Sequence, residues 1–224
     1  MCLIIKKPAG RRICDQFLAN AWRHNADGWG SFHLHEGQPV WAKGMDLASL
    51  QAHNAGLPEG TEVHLHLRKA TCGSINADMA HPYVVREGLL LMHNGTLPHL
   101  RPAHPGMSDT AELARLLRDL LVGLSAVQAQ QVVRSEGFAL LLAPLIRGSM
   151  IVLLDGQGSL SLGRDWHAVS AHEWDHAMHG IEVSNTRTWR PRCSAAPAWR
   201  RLWQALRWHG RGWLARPSGM PLLR

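Results

Sequence analysis

Met1-Cys2-Leu3-Ile4-Ile5-Lys6-Lys7 opens the chain, and its reading decides the fold. An initiator Met before a small residue is normally trimmed, which would leave Cys2 as the mature N-terminus. That residue would carry a thiol and a free α-amine, with reference pKa values of about 8.5 and about 7.7–8.0. Nucleophile and base would then sit on one residue near neutral pH, an activated nucleophile that needs no separate histidine. The alternative is a small apolar residue opening a buried strand. Cys2 to Lys7 reads as a strand in either case, broken by Pro8-Ala9-Gly10.

The 224 residues are enough for one sizeable core, with or without a tail, and 46% hydrophobic against 18% charged is globular chemistry. No run approaches the ~18 apolar residues of a membrane span. The N-terminus does not read as a signal peptide, since Lys6 and Lys7 follow a very short apolar run. Cys2, Cys14, Cys72 and Cys193 lack CxxC spacing, so the expectation is a reducing cytoplasm, with neither a disulfide framework nor a zinc site. The net charge of +7 is uneven. Nine arginines and no acidic residue follow Glu182, so the remaining 15 basic residues face all 17 acidic ones. The basic character therefore belongs to an appendage rather than to the body.

Apolar spacing predicts a helix over Arg12–His24, an extended segment through Trp29, Phe32 and Leu34, and a turn at Gly37-Gln38-Pro39. Asp46 could cap a short helix, Leu47–His53. Val63, Leu65 and Leu67 alternate with His64, His66 and Arg68, which predicts a half-buried strand. Leu89–Met92 reads as a strand ending in His93-Asn94-Gly95. Ser108 or Asp109 caps an amphipathic helix carrying Leu113, Leu116, Leu117 and Leu120, and Ser125–Arg134 reads as another. Strands are expected at Phe138–Leu142, Met150–Leu154, Ser159–Leu162 and Ile181–Ser184. Trp166–His179 has no clear period. Strands, paired helices, then strands suggest layers of sheet and helix.

Five stretches line up with Cys2: Asn25-Ala26-Asp27-Gly28-Trp29-Gly30, His66-Leu67-Arg68-Lys69-Ala70-Thr71-Cys72-Gly73, His81-Pro82, His93-Asn94-Gly95-Thr96 and Ser108-Asp109-Thr110. Each is weak alone. Their order and spacing resemble the class II glutamine amidotransferases, a branch of the N-terminal nucleophile hydrolases, and in particular their small stand-alone and phage-encoded members. The resemblance covers about residues 2–110 by motif and reaches Arg187 by element order. It implies an α+β chain with a four-layer αββα sandwich, a glutaminase domain over 2–187 and a basic Trp-rich extension over 188–224.

The resemblance also implies roles. The Cys2 thiolate would attack a side-chain amide, and the resulting oxyanion needs fixed donors, here the Asn94 side chain and the Gly95 N–H. A plain Asn-Gly hairpin turn is the competing account. Arg68 matches the family's carboxylate-binding arginine, whose planar fork suits that group. Asp109 matches the carboxylate that holds the substrate ammonium, and it can also favour a helix start. Thr71 and His81 match positions that line the glutamine site or brace its loop. Asn25 and Asp27 would support the Cys2 amine. No cofactor is implied. Ammonia would pass to a separate synthase, since the chain has no room for one. Lys69 and Cys72 depart from the aromatic residue and the histidine usual at those positions, which leaves room for a larger γ-glutamyl amide as substrate.

Other constellations compete. His172-Glu173-Trp174-Asp175-His176 fits the H-E-x-x-H zinc pattern, but 15 histidines make accidental matches easy. His33/His35 and His64/His66 are H-x-H pairs, read as same-face residues of a polar strand surface in preference to metal ligands. Trp199, Leu202, Trp203, Leu206 and Trp213 can share one helical face among arginines. Such a tail could dock on its own domain or on a partner, bind nucleic acid or, ranked last, lie on a membrane. The non-enzymatic alternative is therefore a basic binding module built on an inactive hydrolase fold.

Overall fold

The computed structural model describes residues 2–170, 174 and 176–190. The H-E-x-x-H stretch, apart from Trp174 and His176, and the Trp-rich tail beyond Arg190 lie outside the described residues, as does Cys193.

The chain is mixed α+β with two antiparallel sheets. The first contains β1 (Leu3–Lys7), β2 (Trp29–His35), β3 (Gln38–Gly44), β4 (Val63–Leu67), β9 (His167–Ala168) and β10 (Glu182–Val183), in the order β3-β2-β4-β1-β10-β9. The second contains β5 (Tyr83–Arg86), β6 (Leu89–Asn94), β7 (Met150–Asp155) and β8 (Gly158–Gly163), in chain order. β1 is thus an interior strand, with Leu3 opposite Leu67 on one side and Ile5 opposite Val183 on the other.

The period of two along β1 sends its residues to different cores. Leu3 and Ile5 pack with Phe17, Leu18 and Ala21 of α1 (Asp15–His24) and with Leu50 of α2 (Leu47–Ala55). Ile4 turns the other way and meets Phe32 together with Leu90, Met92, Met150 and Val152 of the second sheet. That sheet's other side packs Leu91, Ile151 and Leu153 against Leu113 and Leu117 of α3 (Asp109–Leu120) and against α4 (Ala126–Val133) and α5 (Glu136–Leu142). Lys7, at the end of β1, is buried, and its ammonium donates to the carbonyls of Pro8, Pro58 and Thr61. Those bonds answer the cost of burying a charge.

Local chemistry sets the boundaries. Asp46 accepts from Ser49 N at 2.8 Å and starts α2. Ser108 accepts from Ala111 N at 3.1 Å and starts α3, and Ser125 with Gln128 forms a capping box at α4. α1 begins later than the expected Arg12 because Cys14 is extended and offers no side-chain cap. The first hairpin turns at Glu36-Gly37, both left-handed (φ 50° and 75°), so Gln38 and Pro39 belong to β3. β3 is an edge strand, where proline is tolerated.

Two expectations fail for physical reasons. Phe138–Leu142 is the core of a helix rather than a strand. A short apolar run does not distinguish the two by periodicity, and Ser135 decides it by accepting from Phe138 N at 3.1 Å. Phe138 and Leu142, four apart, are buried, while Leu140 and Leu141 are 67% and 63% exposed. Strand β4 is buried on both faces rather than half-buried, because it lies between β1 and β2 with packing on either side. His64 and His66 therefore do not decorate a polar surface. His64 packs against the rings of Phe32 and Trp166, and His66 shares a hydrogen bond with the His93 carbonyl at 3.1 Å.

Candidate active site

Cys2 precedes an interior strand, so the chain on both sides can hold it. Just past β4, Lys69 N donates to Cys2 Sγ at 3.3 Å, and the thiol lies 3.5 Å from Lys69 O. Just past β10, Asn185 Nδ2 donates to Cys2 O at 2.7 Å. Asn185 Oδ1 in turn accepts from Arg187 N and Thr188 N, both at 3.0 Å. Burial pushes the Cys2 thiol pKa up, against the pull of the Lys69 amide. Such a thiol needs a proton acceptor before it attacks.

Cys2 lines one narrow cavity with Arg68, Thr71, His81, Gly95 and Asp109. About 20 Å³ of free volume remains in it, roughly enough for one water. Larger cavities of about 280, 510 and 660 Å³ lie elsewhere and include none of these residues.

Arg68 is buried and donates to Ser74 O at 2.9 Å and to Cys72 O at 3.2 Å, holding the loop that forms the cavity's rim. These two bonds leave further N–H groups of the guanidinium fork. Asp109 is the first residue of α3, one past the Ser108 cap. Its carboxylate accepts from Leu97 N at 2.7 Å and Thr110 N at 2.8 Å, and Cys72 Sγ lies 3.7 Å away. Thr71 is exposed at the mouth.

His81 precedes a cis peptide to Pro82, and its carbonyl presses so close to Gly30 that a Cβ there would lie 1.7 Å from the oxygen. Its ring stacks on His66 at 3.8 Å and meets the edge of Tyr83 at 5.1 Å. Burial drives the His81 pKa well below the ordinary value, lowers His66 to about 3 and lowers His93 to about 4. His93 Nδ1 lies 2.8 Å from Thr110 Oγ1. The cavity is thus walled partly by neutral imidazoles.

Gly95 lines the cavity, and Asn94 is the residue before it. The Asn94 side chain is buried at the end of β6, and Nδ2 donates to Ser184 Oγ at 2.7 Å. Gly95 has φ 151°, and a Cβ would lie 2.0 Å from Ser149 Oγ. The Asn-Gly pair is not a hairpin turn, since β6 pairs with β5 and β7 and the chain leaves it toward α3.

Asp27 and Asn25, expected beside the Cys2 amine, bond instead to the segments around Cys2. Asp27 accepts from Ala70 N at 2.9 Å and pairs with Lys69 Nζ at 3.3 Å, fixing the segment that donates to the thiol. Asn25 donates to Ala21 O and Thr188 O, bracing the turn that carries Asn185. Ser184, Asn185 and the Lys69 amide have no sequence signature. Ser184 reads as the end of a strand and Asn185 as the residue after it, and a backbone N–H carries no residue label. Among the described residues no group of three or more His, Cys, Asp or Glu side chains is arranged to hold a metal ion.

No family model and no curated protein matches the sequence. Among solved structures, the chain is similar to a glutamine aminotransferase class-II domain protein from Silicibacter pomeroyi, at 15% identity and TM-score 0.40, over 82% of this chain and 87% of that one. It is also similar to the glutamine phosphoribosylpyrophosphate (PRPP) amidotransferase of B. subtilis, solved with ADP and GMP, at 15% identity and TM-score 0.40. That match covers 70% of this chain but only 35% of the other. Similarity this distant does not assign the chain to a family.

Proposed function

We propose that the chain is a class II glutamine amidotransferase-type glutaminase on a four-layer αββα fold. The observation that carries this reading is the convergence of Cys2, Arg68, Asp109 and Gly95 on one cavity, reached from separate elements. With Met1 removed, the Cys2 α-amine takes the thiol proton and the thiolate attacks the glutamine carboxamide carbon. Gly95 N–H and Asn94 stabilise the oxyanion. The ammonium returns its proton to the leaving nitrogen, ammonia departs and a γ-glutamyl thioester remains. Water, deprotonated by the same amine, releases glutamate and restores the thiol. Once the loop carrying Thr71 and Cys72 gives way to widen the narrow cavity, Arg68 pairs with the α-carboxylate and Asp109 with the α-ammonium. The ammonia goes to an acceptor on a separate partner enzyme. Three free cysteines among the described residues fit a reducing compartment such as the cytoplasm.

Mass spectrometry of the mature N-terminus, combined with a glutaminase assay of wild type and Cys2→Ala, tests the reading. Retained Met1, or ammonia release unchanged in the variant, overturns it. A second substrate class is favoured by the exposed rim at Thr71 and Cys72, which would accommodate a substituent on the amide nitrogen. Turnover of γ-glutamyl amides exceeding that of glutamine would make the protein an amidohydrolase of such conjugates.

A further inference from the structure

Ser184 stands at a junction that the proposed chemistry leaves unexplained. It is buried just past β10, and its backbone N donates to Ile4 O at 2.9 Å. Its hydroxyl accepts from Ile4 N at 2.8 Å and touches the Asn94 carboxamide at 2.7 Å. With Asn94 Nδ2 toward Ser184, the hydroxyl oxygen accepts twice, while buried Asn94 Oδ1 has no partner. A serine hydroxyl also has a proton to give, and a buried acceptor without a partner is costly.

The two ends of a carboxamide have the same outline, and the surrounding hydrogen bonds decide between them. Turning the Asn94 amide end over gives the Ser184 proton an acceptor and puts an unclaimed NH2 where the unpartnered oxygen stood. Ser184 Oγ accepts from Ile4 N and donates its own proton to Asn94 Oδ1. The Asn94 NH2 then faces away from Ser184, with no protein acceptor claiming it. An oxyanion needs a free donor of that kind, and an oxygen at that position would repel it.

We propose that Ser184 is a positioning residue that locks the Asn94 carboxamide with its nitrogen turned away from Ser184, toward the reacting carbonyl. This rests on the glutaminase reading for its role and on hydrogen-bond geometry for the orientation. Asn185, the next residue, holds Cys2 O. The Ser184-Asn185 pair therefore ties the nucleophile and the oxyanion donor to one short segment of chain, which fixes their spacing.

The test has two arms. Neutron diffraction of the deuterium-exchanged wild-type protein locates the Asn94 amide deuterons and the Ser184 hydroxyl deuteron. The expected result is the hydroxyl deuteron on the Asn94 Oδ1 line and the amide deuterons on the far side. Amide deuterons pointing at Ser184 Oγ overturn the proposal whatever the activity. The second arm is a double-mutant cycle on glutamine hydrolysis with Ser184→Ala, Asn94→Ala and both together. Ser184→Ala should lower kcat roughly 10- to 100-fold, part of the loss expected for removing an oxyanion donor, with KM within about twofold. The loss should vanish in the Asn94→Ala background. An equal loss in both backgrounds, or an unchanged kcat, overturns the proposal. Failure of the glutaminase reading shows separately, as ammonia release that survives Cys2→Ala, and leaves the neutron result standing.

Discussion

Asp109 does two things at once. It anchors the Leu97 amide and, as the opening residue of α3, sits where a negative charge is favoured. Asp109→Asn keeps an oxygen for Leu97 N but removes the charge proposed to hold the substrate ammonium. KM for glutamine should rise roughly 10- to 100-fold, as expected for losing a charged hydrogen bond of about 1.5–3 kcal/mol, with kcat changed much less. Steady-state kinetics checks this, and a fall in kcat at constant KM would move Asp109 out of the binding pocket. Gly95→Ala acts differently, because the new methyl would meet Ser149 Oγ at 2.0 Å. The Asn-Gly backbone must then shift, and ammonia release should drop at least as far as in Asn94→Ala. Residues of this kind were legible in the sequence because distinctive side chains stood beside fixed neighbours. Ser184 and Asn185 were not. They act by placing other groups, and nothing in a Ser-Asn pair after a strand distinguishes that task from ending the strand.

α5 shows where element type escapes periodicity. Its run of apolar residues is too short to reveal a period, and the deciding residue, Ser135, lies outside it. Ser135→Ala should cost about 1 kcal/mol through loss of the cap. Phe138→Ala should cost about 3–5 kcal/mol through the cavity it leaves. Leu140→Ser should be nearly neutral, since the residue faces out. Urea denaturation measures all three, and a large loss at Leu140 would contradict the helix register. For strand β4 the alternation locates the strand but not its environment, since it reports polarity and not which faces other layers cover. The cover came from residues far along the chain, and a local pattern does not contain them.

At the scale of the molecule, those buried histidines link stability to pH. His64 and His66 have pKa values lowered to about 3 and His93 to about 4, all by burial, against about 6.5 for an unfolded histidine. Below pH 6.5 the unfolded chain takes up protons that the folded one refuses. The stabilisation is therefore complete above about pH 6.5 and is lost as pH falls toward the folded values. Each such histidine adds a slope of up to about 1.4 kcal/mol per pH unit in that window. The urea midpoint should fall steeply from pH 7 to pH 4.5, and His64→Phe should flatten the fall. An unchanged slope in that variant would mean that His64 already titrates normally. Truncation after Arg190 tests the other end of the molecule. Every residue placed at the cavity precedes it, and Trp189 packs on Phe17, so ammonia release should persist. Any salt-dependent binding to nucleic acid should disappear with the arginine-rich tail.

The pairing of Ile5 with Val183, and of Cys2 O with Asn185, also has a consequence for timing. Strand β1 completes its pairing only with β10, which is synthesised much later. On the proposed mechanism, a nascent chain therefore carries its sulfur in an unfinished fold, and no glutamine is consumed until translation has passed the strand that holds Val183. Synthesis itself acts as the safety catch.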